Sequence, residues 1–597
     1  MASRYFSFLP AFPTEPLAIT FIASSVLSQM ALLAALVGVV SLPVIFLPTI
    51  SRQIFQVAIA SIGVATLFFD TVVFAQYRFH MNAVVVELAM SGQVVTFPLM
   101  MWLMGLSGIA LLLLGEFFLL RWIERISVSS KEKQGSQLFH HFIRRFVLVA
   151  FIALFATHGI HIWAAAQAYQ PVTMIKRYLP LFFPATSNIT LAKYGFVNVQ
   201  AIEQQQRMAL KQHSDLNYPL HPLKTKQPEH SDSVNIVIIL VDSWRADTFN
   251  AENTPHMWRY AQRGAKFKNH LSTGNATRTG VFGLFYGLPG TYWHAMLANG
   301  RSPILMDRLQ ALNYEMGIFA AAKLDQPEFD QTVFHNILNL REGSKGNSPS
   351  ERDQNLTQDW LVWDAERNKQ KPFFSFLFYD SPHGYDFPKE YAHRFEPMTE
   401  SMNYLTLDNS FDPQPLMNRY KTSVHFVDSE VGKVLNRLDE SGALKNTVVI
   451  LSGDHGQEIN DNRLNFWGHN SNYTNAQIHV PFAMFGPKIK AVDSSWGMRV
   501  TSHEDLVPTL AINYLGVISD PHDYSVGKDL LNKPVSRQWI LSSKYSGYGV
   551  ITDDYIVEVS GTGSFQVLDK TYRPLPNQTL NTQYMKEVFE QISLYNK

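Results

Sequence analysis

The chain has 597 residues, too many for one hydrophobic core, so two or three domains are expected. Lys plus Arg and Asp plus Glu number 50 each, and that balance offers no field to attract nucleic acid. The absence of cysteine excludes disulfides, thiolate metal sites and cysteine nucleophiles together.

Residues 1–16 lack the basic start, short apolar core and small-residue cleavage site of a secretory signal. Residues 17–168 are densely apolar, whereas residues 200–597 read as ordinary soluble chain. Four runs, about 17–47, 54–77, 94–120 and 146–168, reach the roughly 20 apolar residues that cross a bilayer core. They predict a helical transmembrane domain over residues 1–169. Arg121, Arg125, Lys131, Lys133, Arg144 and Arg145 crowd the connection between the third and fourth runs, which predicts that this connection is cytoplasmic. The fourth run then delivers everything after Tyr169 to the far side. Counting back, the 48–53 connection with Arg52 is cytoplasmic and the N-terminus is outside. Asp70, Glu116, His158 and His161 fall within the runs, each near an end, and are expected to snorkel to an interface. Met81–Met90 is too short to span and is expected to form an interfacial helix on the outer side.

Residues 170–232 form a connector punctuated by Pro171, Pro180 and Pro184. Lys176 and Arg177 sit there among aromatics, and cations beside aromatics suit lipid phosphates and the headgroup layer. A linker packed against its own domain is the alternative. From residue 233 the pattern alternates strand and helix to the end of the chain, which predicts a soluble α/β domain with a mostly parallel sheet. Val234–Val241, Pro372–Tyr379 and Thr447–Leu451 are continuous apolar runs, as expected of strands buried on both faces. Tyr420, Val424, Val427, Val431, Leu435 and Leu438 recur at helical spacing. Asn347–Asn355 is the most polar stretch and is expected to be a surface loop.

Each of the three strands runs into chemistry-capable residues: Asp242, then Asp380 with His383, then Asp454 with His455. The carboxyl ends of strands form the ligand crevice of open α/β sheets, so these groups are placed to hold a divalent cation. A single Asp after a strand is weak evidence, because such residues often cap the next helix; three strand ends are stronger. Thr277 lies just before an apolar run that should be a helix. There its hydroxyl either shares space with anion-seeking amides or serves as an ordinary cap.

The order Val-Asp-Ser, Gly-Asn-Ala-Thr, Ser-Pro-His, Gly-Asp-His-Gly and Trp-Gly-His resembles the alkaline phosphatase/sulfatase superfamily. It is most similar to the branch with one metal and a Thr nucleophile, as in lipoteichoic acid synthases and phosphoethanolamine transferases. Arg78–Asn82, Tyr169–Met174 and Thr279–Gly287 extend the likeness nearly end to end to the YejM/PbgA family of bacterial inner-membrane proteins, whose sulfatase-like domain is periplasmic. That family usually carries one more N-terminal span, which would account for the outside N-terminus. The resemblance implies that Asp242, Thr277, Asp454 and His455 hold one divalent cation, with Thr277 as nucleophile. Zn²⁺ or Mn²⁺ suits that donor set. His383 and His469 would line the substrate side and stabilise a leaving oxygen or transferred oxyanion, while Arg278 either binds an anionic substrate or faces solvent. A formylglycine sulfatase needs Cys or Ser followed by x-Pro-x-Arg, and Thr277-Arg278-Thr279-Gly280 does not supply it. Phosphoryl chemistry on envelope lipids or glycolipids is therefore expected. The other reading implied by the family is a regulator that senses the lipid A part of lipopolysaccharide. It would act with an inner-membrane partner on lipopolysaccharide synthesis, with cardiolipin binding as a variant.

Overall fold

The structure, a computed structural model, describes residues 2–9, 12–78, 80–81, 99–128, 133–167, 169–198, 215–227, 233–491, 497–532, 537–561, 563–575, 578 and 580–596. The chain divides into two compact units, one built from most of residues 1–207 and the other from most of residues 208–597.

The first unit contains four helices long and apolar enough to cross a membrane: α1 (Pro16–Ser41), α2 (Thr49–Tyr77), α3 (Leu99–Val128) and α4 (Lys133–Ala166). α1 starts at a proline, whose missing amide costs nothing at a first helical position. α3 and α4 overrun the apolar runs, so Arg121, Arg125, Lys133, Arg144 and Arg145 lie on helix rather than in a loop. Lys131 and the expected interfacial helix at Met81–Met90, apart from Met81, fall outside the described residues. Gln53 Nε2 donates to both carboxylate oxygens of Glu124 at 2.7 and 2.9 Å, which ties the start of α2 to the end of α3. The two basic connections therefore lie at the same end of the bundle.

Snorkelling fails as an account of Asp70 and His161. Asp70 is buried and accepts from Tyr5, from His80 and from the Met81 amide. His161 is also buried and its Nδ1 lies 2.9 Å from the Ala185 carbonyl, while His158 Nδ1 accepts from the Ala185 amide at 2.9 Å. An ionisable group inside a membrane bundle is tolerated when it is paired: the two histidines pair with the connector at Ala185, and Asp70 pairs with Tyr5, His80 and Met81. The connector itself packs on the bundle through Val172, Ile175, Tyr178, Leu179 and Phe182.

The second unit is organised by a six-stranded sheet of β1 (Asn235–Val241), β2 (Ala265–Lys266), β3 (Glu315–Ala320), β4 (Phe373–Tyr379), β5 (Thr447–Gly453) and β6 (Phe482–Phe485) in the order β2-β6-β5-β1-β4-β3. The four strands from β5 to β3 are parallel, and β6 and β2 add antiparallel pairings at one edge. Ile236 to Val241 are all fully buried, as a strand covered on both faces requires. Each such side chain contributes roughly 1.5–3 kcal/mol.

Helix α5 (Thr277–Tyr286) enters the core on one face, and α6 (Pro349–Glu366) packs with α7 (Gln414–Glu440). The apolar stripe from Tyr420 to Leu438 is the buried face of α7. The polar stretch Asn347–Asn355 is not a loop but the start of α6. Ser348 accepts from the Glu351 amide as N-cap, Pro349 follows it, and Ser350, Arg352 and Asp353 are buried. A four-stranded antiparallel sheet, β7 (Trp539–Lys544), β8 (Gly547–Thr552), β9 (Ile556–Ser560) and β10 (Phe565–Leu568), completes the unit.

Candidate metal centre

Strand register does most of the positioning. Val241 of β1 sits opposite both Tyr379 of β4 and Gly453 of β5, so Asp242, Asp380 and Asp454 emerge side by side at the carboxyl edge. Ser243 adopts a positive φ of 62°, and in that conformation its amide donates to Asp454 Oδ1 at 3.0 Å while its hydroxyl donates to Asp242 Oδ1 at 2.8 Å. The His455 amide reaches the same Asp454 oxygen at 2.8 Å.

α5 supplies the fourth group. Its N-cap is the extended Ala276, so Thr277 is the first helical residue and not a cap. The Thr277 hydroxyl instead lies 3.2 Å from His455 Nε2 and 3.4 Å from Asp242 Oδ2. The helix can approach this closely because residue 280 is glycine: a methyl there would overlap the Asp454 carbonyl oxygen. Ser272 Oγ donates to that same carbonyl.

The donor set fits a divalent cation. One ligand atom each from Asp242, Asp454 and His455 falls within 4.8 Å of the others, and all three residues are buried. Asp454 Oδ2 has no hydrogen-bond partner in a place where an unpaired carboxylate oxygen is costly. His455 Nδ1 faces the Gly456 carbonyl at 2.8 Å, which assigns the proton to Nδ1 and leaves the Nε2 lone pair turned toward both carboxylates. That nitrogen is 3.4 Å from Asp454 Oδ2 and 3.6 Å from Asp242 Oδ1. Burial, then the neighbouring Asp454, pushes the Asp242 carboxyl up, and burial does the same to Asp454. A cation between them offsets both penalties. Two carboxylates, a hydroxyl and an imidazole are donors for a hard or borderline metal.

His383 and His469 stand next to this cluster. The His469 ring centroid is 4.2 Å from that of His455 and 5.0 Å from that of His383. Burial drives His469 well below its ordinary value, and the other two imidazoles add to this. Burial also opposes charge on His383, but Asp242, Asp380 and Asp454 outweigh it and hold that group above its ordinary value.

The second strand end does not join the candidate cation cluster of Asp242, Asp454 and His455. Arg352 Nη2 donates to Asp380 Oδ2 at 2.7 Å, and the Asp380 and Ser381 amides both donate to Asp353 at 2.9 Å. Arg278 does not face solvent. It is only 13% exposed, pairs with Glu328 at 3.0 Å, and lies 5.0 Å from the Trp293 ring and 4.6 Å from the Tyr545 ring. Lys176 and Arg177 are half-buried in a turn of the first unit, Met174–Tyr178. Sequence reading missed Gln457, whose Oε1 lies 2.9 Å from His469 Nδ1 and whose Nε2 donates to the Tyr385 hydroxyl at 2.8 Å. It also missed Arg352 and Tyr545. The Ser-Pro-Ser-Glu run before Arg352 was a helix-start signal, whereas nothing in the sequence marks Tyr545.

A sulfatase family profile matches residues 234–513, and a profile for a domain of unknown function (DUF3413) matches residues 1–225. Fold and site thus define a class: a sulfatase-like domain of the alkaline phosphatase superfamily carried by a helical membrane unit. Members of that superfamily usually use a divalent metal. The Inner membrane protein YejM of Salmonella typhimurium is 25% identical over 515 residues, covering 86% of this chain and 79% of that protein. A Haemophilus influenzae protein is 26% identical over 529 residues with the same two coverages. Among solved structures, the lipoteichoic acid synthase LtaP of Listeria monocytogenes aligns over 62% of this chain and 93% of its own at 17% identity, with a TM-score of 0.44. Along most of its length the chain is thus similar to the YejM inner-membrane proteins.

Proposed function

We propose that the chain is a metal-dependent phosphoesterase or phosphotransferase acting on envelope lipids or glycolipids from the periplasmic face of the inner membrane. One observation carries this reading: Asp242, Asp454 and His455 converge around the Thr277 hydroxyl with a buried carboxylate oxygen left unpaired. When bound, a divalent ion, Zn²⁺ or Mn²⁺ for these donors, lowers the pKa of the Thr277 hydroxyl and stabilises charge on the transferred group. Asp242, Thr277, Asp454 and His455 are the residues that would hold it.

Thr277 Oγ, its proton already released to solvent, attacks phosphorus, the ester bond to the leaving oxygen breaks, and a phospho-threonine forms, from which the second step returns the same alkoxide. His383, beside the cluster and 5.0 Å from His469 between ring centroids, is placed to donate a proton to the leaving oxygen. Water or an acceptor hydroxyl then attacks the same phosphorus and regenerates Thr277. The proton of that nucleophile passes to a neutral imidazole, His383 after its donation or His469 beside it. Arg278, oriented by Trp293 and Tyr545, contributes to binding the anionic group while sharing its charge with Glu328. The tie between Gln53 and Glu124 supports the orientation, because it puts both basic connections on one side, which the positive-inside rule makes cytoplasmic.

The test is metal content and phosphoester turnover of the purified full chain. About one ion per chain is expected, with turnover and a trapped phosphoryl group in the parent and neither in Thr277→Ala. Turnover unchanged by Thr277→Ala refutes the mechanism. A second reading is a lipid-responsive regulator that binds lipid A or cardiolipin and controls lipopolysaccharide synthesis through an inner-membrane partner. The observation favouring it is the basic turn with Lys176 and Arg177, built onto the membrane unit by Ile175 and Tyr178. The two readings use separate residues and are compatible.

A further inference from the structure

Asp70 is a buried carboxylate near the C-terminal end of a spanning helix, and neither reading above uses it. Three donors meet on it. The Tyr5 hydroxyl donates to Oδ2 at 2.6 Å, His80 Nδ1 lies 2.7 Å from the same oxygen, and the Met81 amide donates to Oδ1 at 2.6 Å. The other nitrogen of His80 lies 3.1 Å from the carbonyl oxygen of Arg177. The bond from carboxylate to imidazole is thus extended to the backbone of the basic turn, 97 residues further along the chain.

The same pocket fixes the Arg177 side chain. Its Nη2 donates to the Tyr178 hydroxyl at 3.3 Å, and its guanidinium carbon lies 5.2 Å from the Tyr178 ring centroid. Tyr178 is in turn held edge-on by Phe74 at 5.6 Å and stacked by Phe6 at 6.2 Å. Phe74 also stacks on His80 at 4.7 Å. Arg177 is therefore gripped at both ends, by backbone through His80 and by side chain through Tyr178. Burying a carboxylate in a membrane bundle is expensive, and packing alone does not require it, since apolar groups would fill the same box. What the carboxylate adds is direction: it fixes the His80 ring and so the height and angle of the Arg177 turn.

We propose that Asp70 and His80 are positioning residues for a phosphate-binding turn at Lys176 and Arg177, whose ligand is the phosphate of an anionic lipid headgroup. This rests on the lipid-contact reading of that turn. Because Asp70 is part of α2, a lipid phosphate bound at Arg177 is mechanically joined to that span through one imidazole.

The experiment measures binding of short-chain phosphatidic acid to the purified full-length protein in detergent. Short-chain phosphatidylcholine is the zwitterionic control and inorganic phosphate the competitor. Lys176→Ala with Arg177→Ala is expected to weaken phosphatidic acid by about 25-fold, taking about fivefold for each basic group. His80→Phe keeps a ring on Phe74 but deletes both hydrogen bonds, and is expected to weaken phosphatidic acid by about fivefold. Phosphatidylcholine binding should stay at the parent value, while the unfolding temperature of His80→Phe falls because Asp70 loses one of its three donors. Asp70→Asn, which keeps an acceptor oxygen, should lose less than Asp70→Ala, and Tyr5→Phe gives a milder probe if either fails to fold. A merely structural role would lower both lipids together. Parent-like phosphatidic acid binding by His80→Phe, beside loss in the double variant, overturns the positioning role. Parent-like binding by the double variant overturns the lipid-contact reading itself. Competition by inorganic phosphate at concentrations equal to the lipid overturns the assignment to a lipid.

Discussion

Glu458 provides a test of the scaffold around His469 that needs no knowledge of substrate. Its carboxylate is fully buried and its Oε2 accepts from Asn472, Thr474 and Gln477, thereby gathering the segment that follows His469. Burial raises its pKa from 4.5 to about 7. Below pH 4.5 the folded and unfolded chains both hold this proton and the full stability is present. Between 4.5 and 7 the unfolded chain releases the proton while the folded chain keeps it, so stability falls as pH rises, and above 7 it levels off. At about 1.4 kcal/mol per unit, the loss across the window is about 3 kcal/mol. Glu458→Gln keeps an acceptor oxygen and does not titrate. Denaturant unfolding of the full chain at a series of pH values, with chelator present, should therefore show the variant gaining on the parent by up to about 3 kcal/mol between pH 4.5 and 7. In thermal scans the same gain is a shift of a few degrees. A difference curve flat across that window would refute the argument, because it would mean that the folded protein carries the charge at no cost.

Gly280→Ala should overpack the contact between α5 and the Asp454 carbonyl, cost about 1–3 kcal/mol in unfolding, and weaken divalent-ion affinity measured by titration calorimetry. Unchanged ion affinity would show that the seat of the helix does not set the Thr277 position. Arg352→Ala should leave the buried Asp380 carboxylate uncompensated and destabilise the chain by about 3–5 kcal/mol, read by denaturant unfolding at pH 8. Replacing both partners, as Arg352→Met with Asp380→Asn, should recover most of that loss.

The parts of the fold legible in the sequence are those where one physical demand governs a segment. β1, β4 and β5 are buried on both faces, so they are apolar without interruption, and their ends could be located to within a few residues. The stripe from Tyr420 to Leu438 meets a single core and repeats at helical spacing. The four spans were visible for the same reason, although their basic ends were read as loop because charge, and not helix, ends at the membrane surface. Legibility failed where polar residues are buried in pairs. Arg352 and Asp353 look like surface in a sequence, yet one neutralises Asp380 and the other caps its amide. Asp70 looks like a residue seeking water, yet it is satisfied by three donors that lie 65, 10 and 11 positions away. The candidate cation ligands were read from motif order, but the close approach of Thr277 depends on Gly280, and the orientation of His469 depends on Gln457. Those are relations between segments rather than properties of either one.

Parallel strands sharing a common register free the excursions between them. Val241, Tyr379 and Gly453 are locked abreast by the ladder, so chain inserted or removed between β4 and α7, for instance within residues 384–413, leaves the three carboxylates abreast. Relatives can therefore remodel the rim that meets a substrate or a partner while the floor beneath it stays fixed, and differences in loop length among them report on recognition rather than on chemistry.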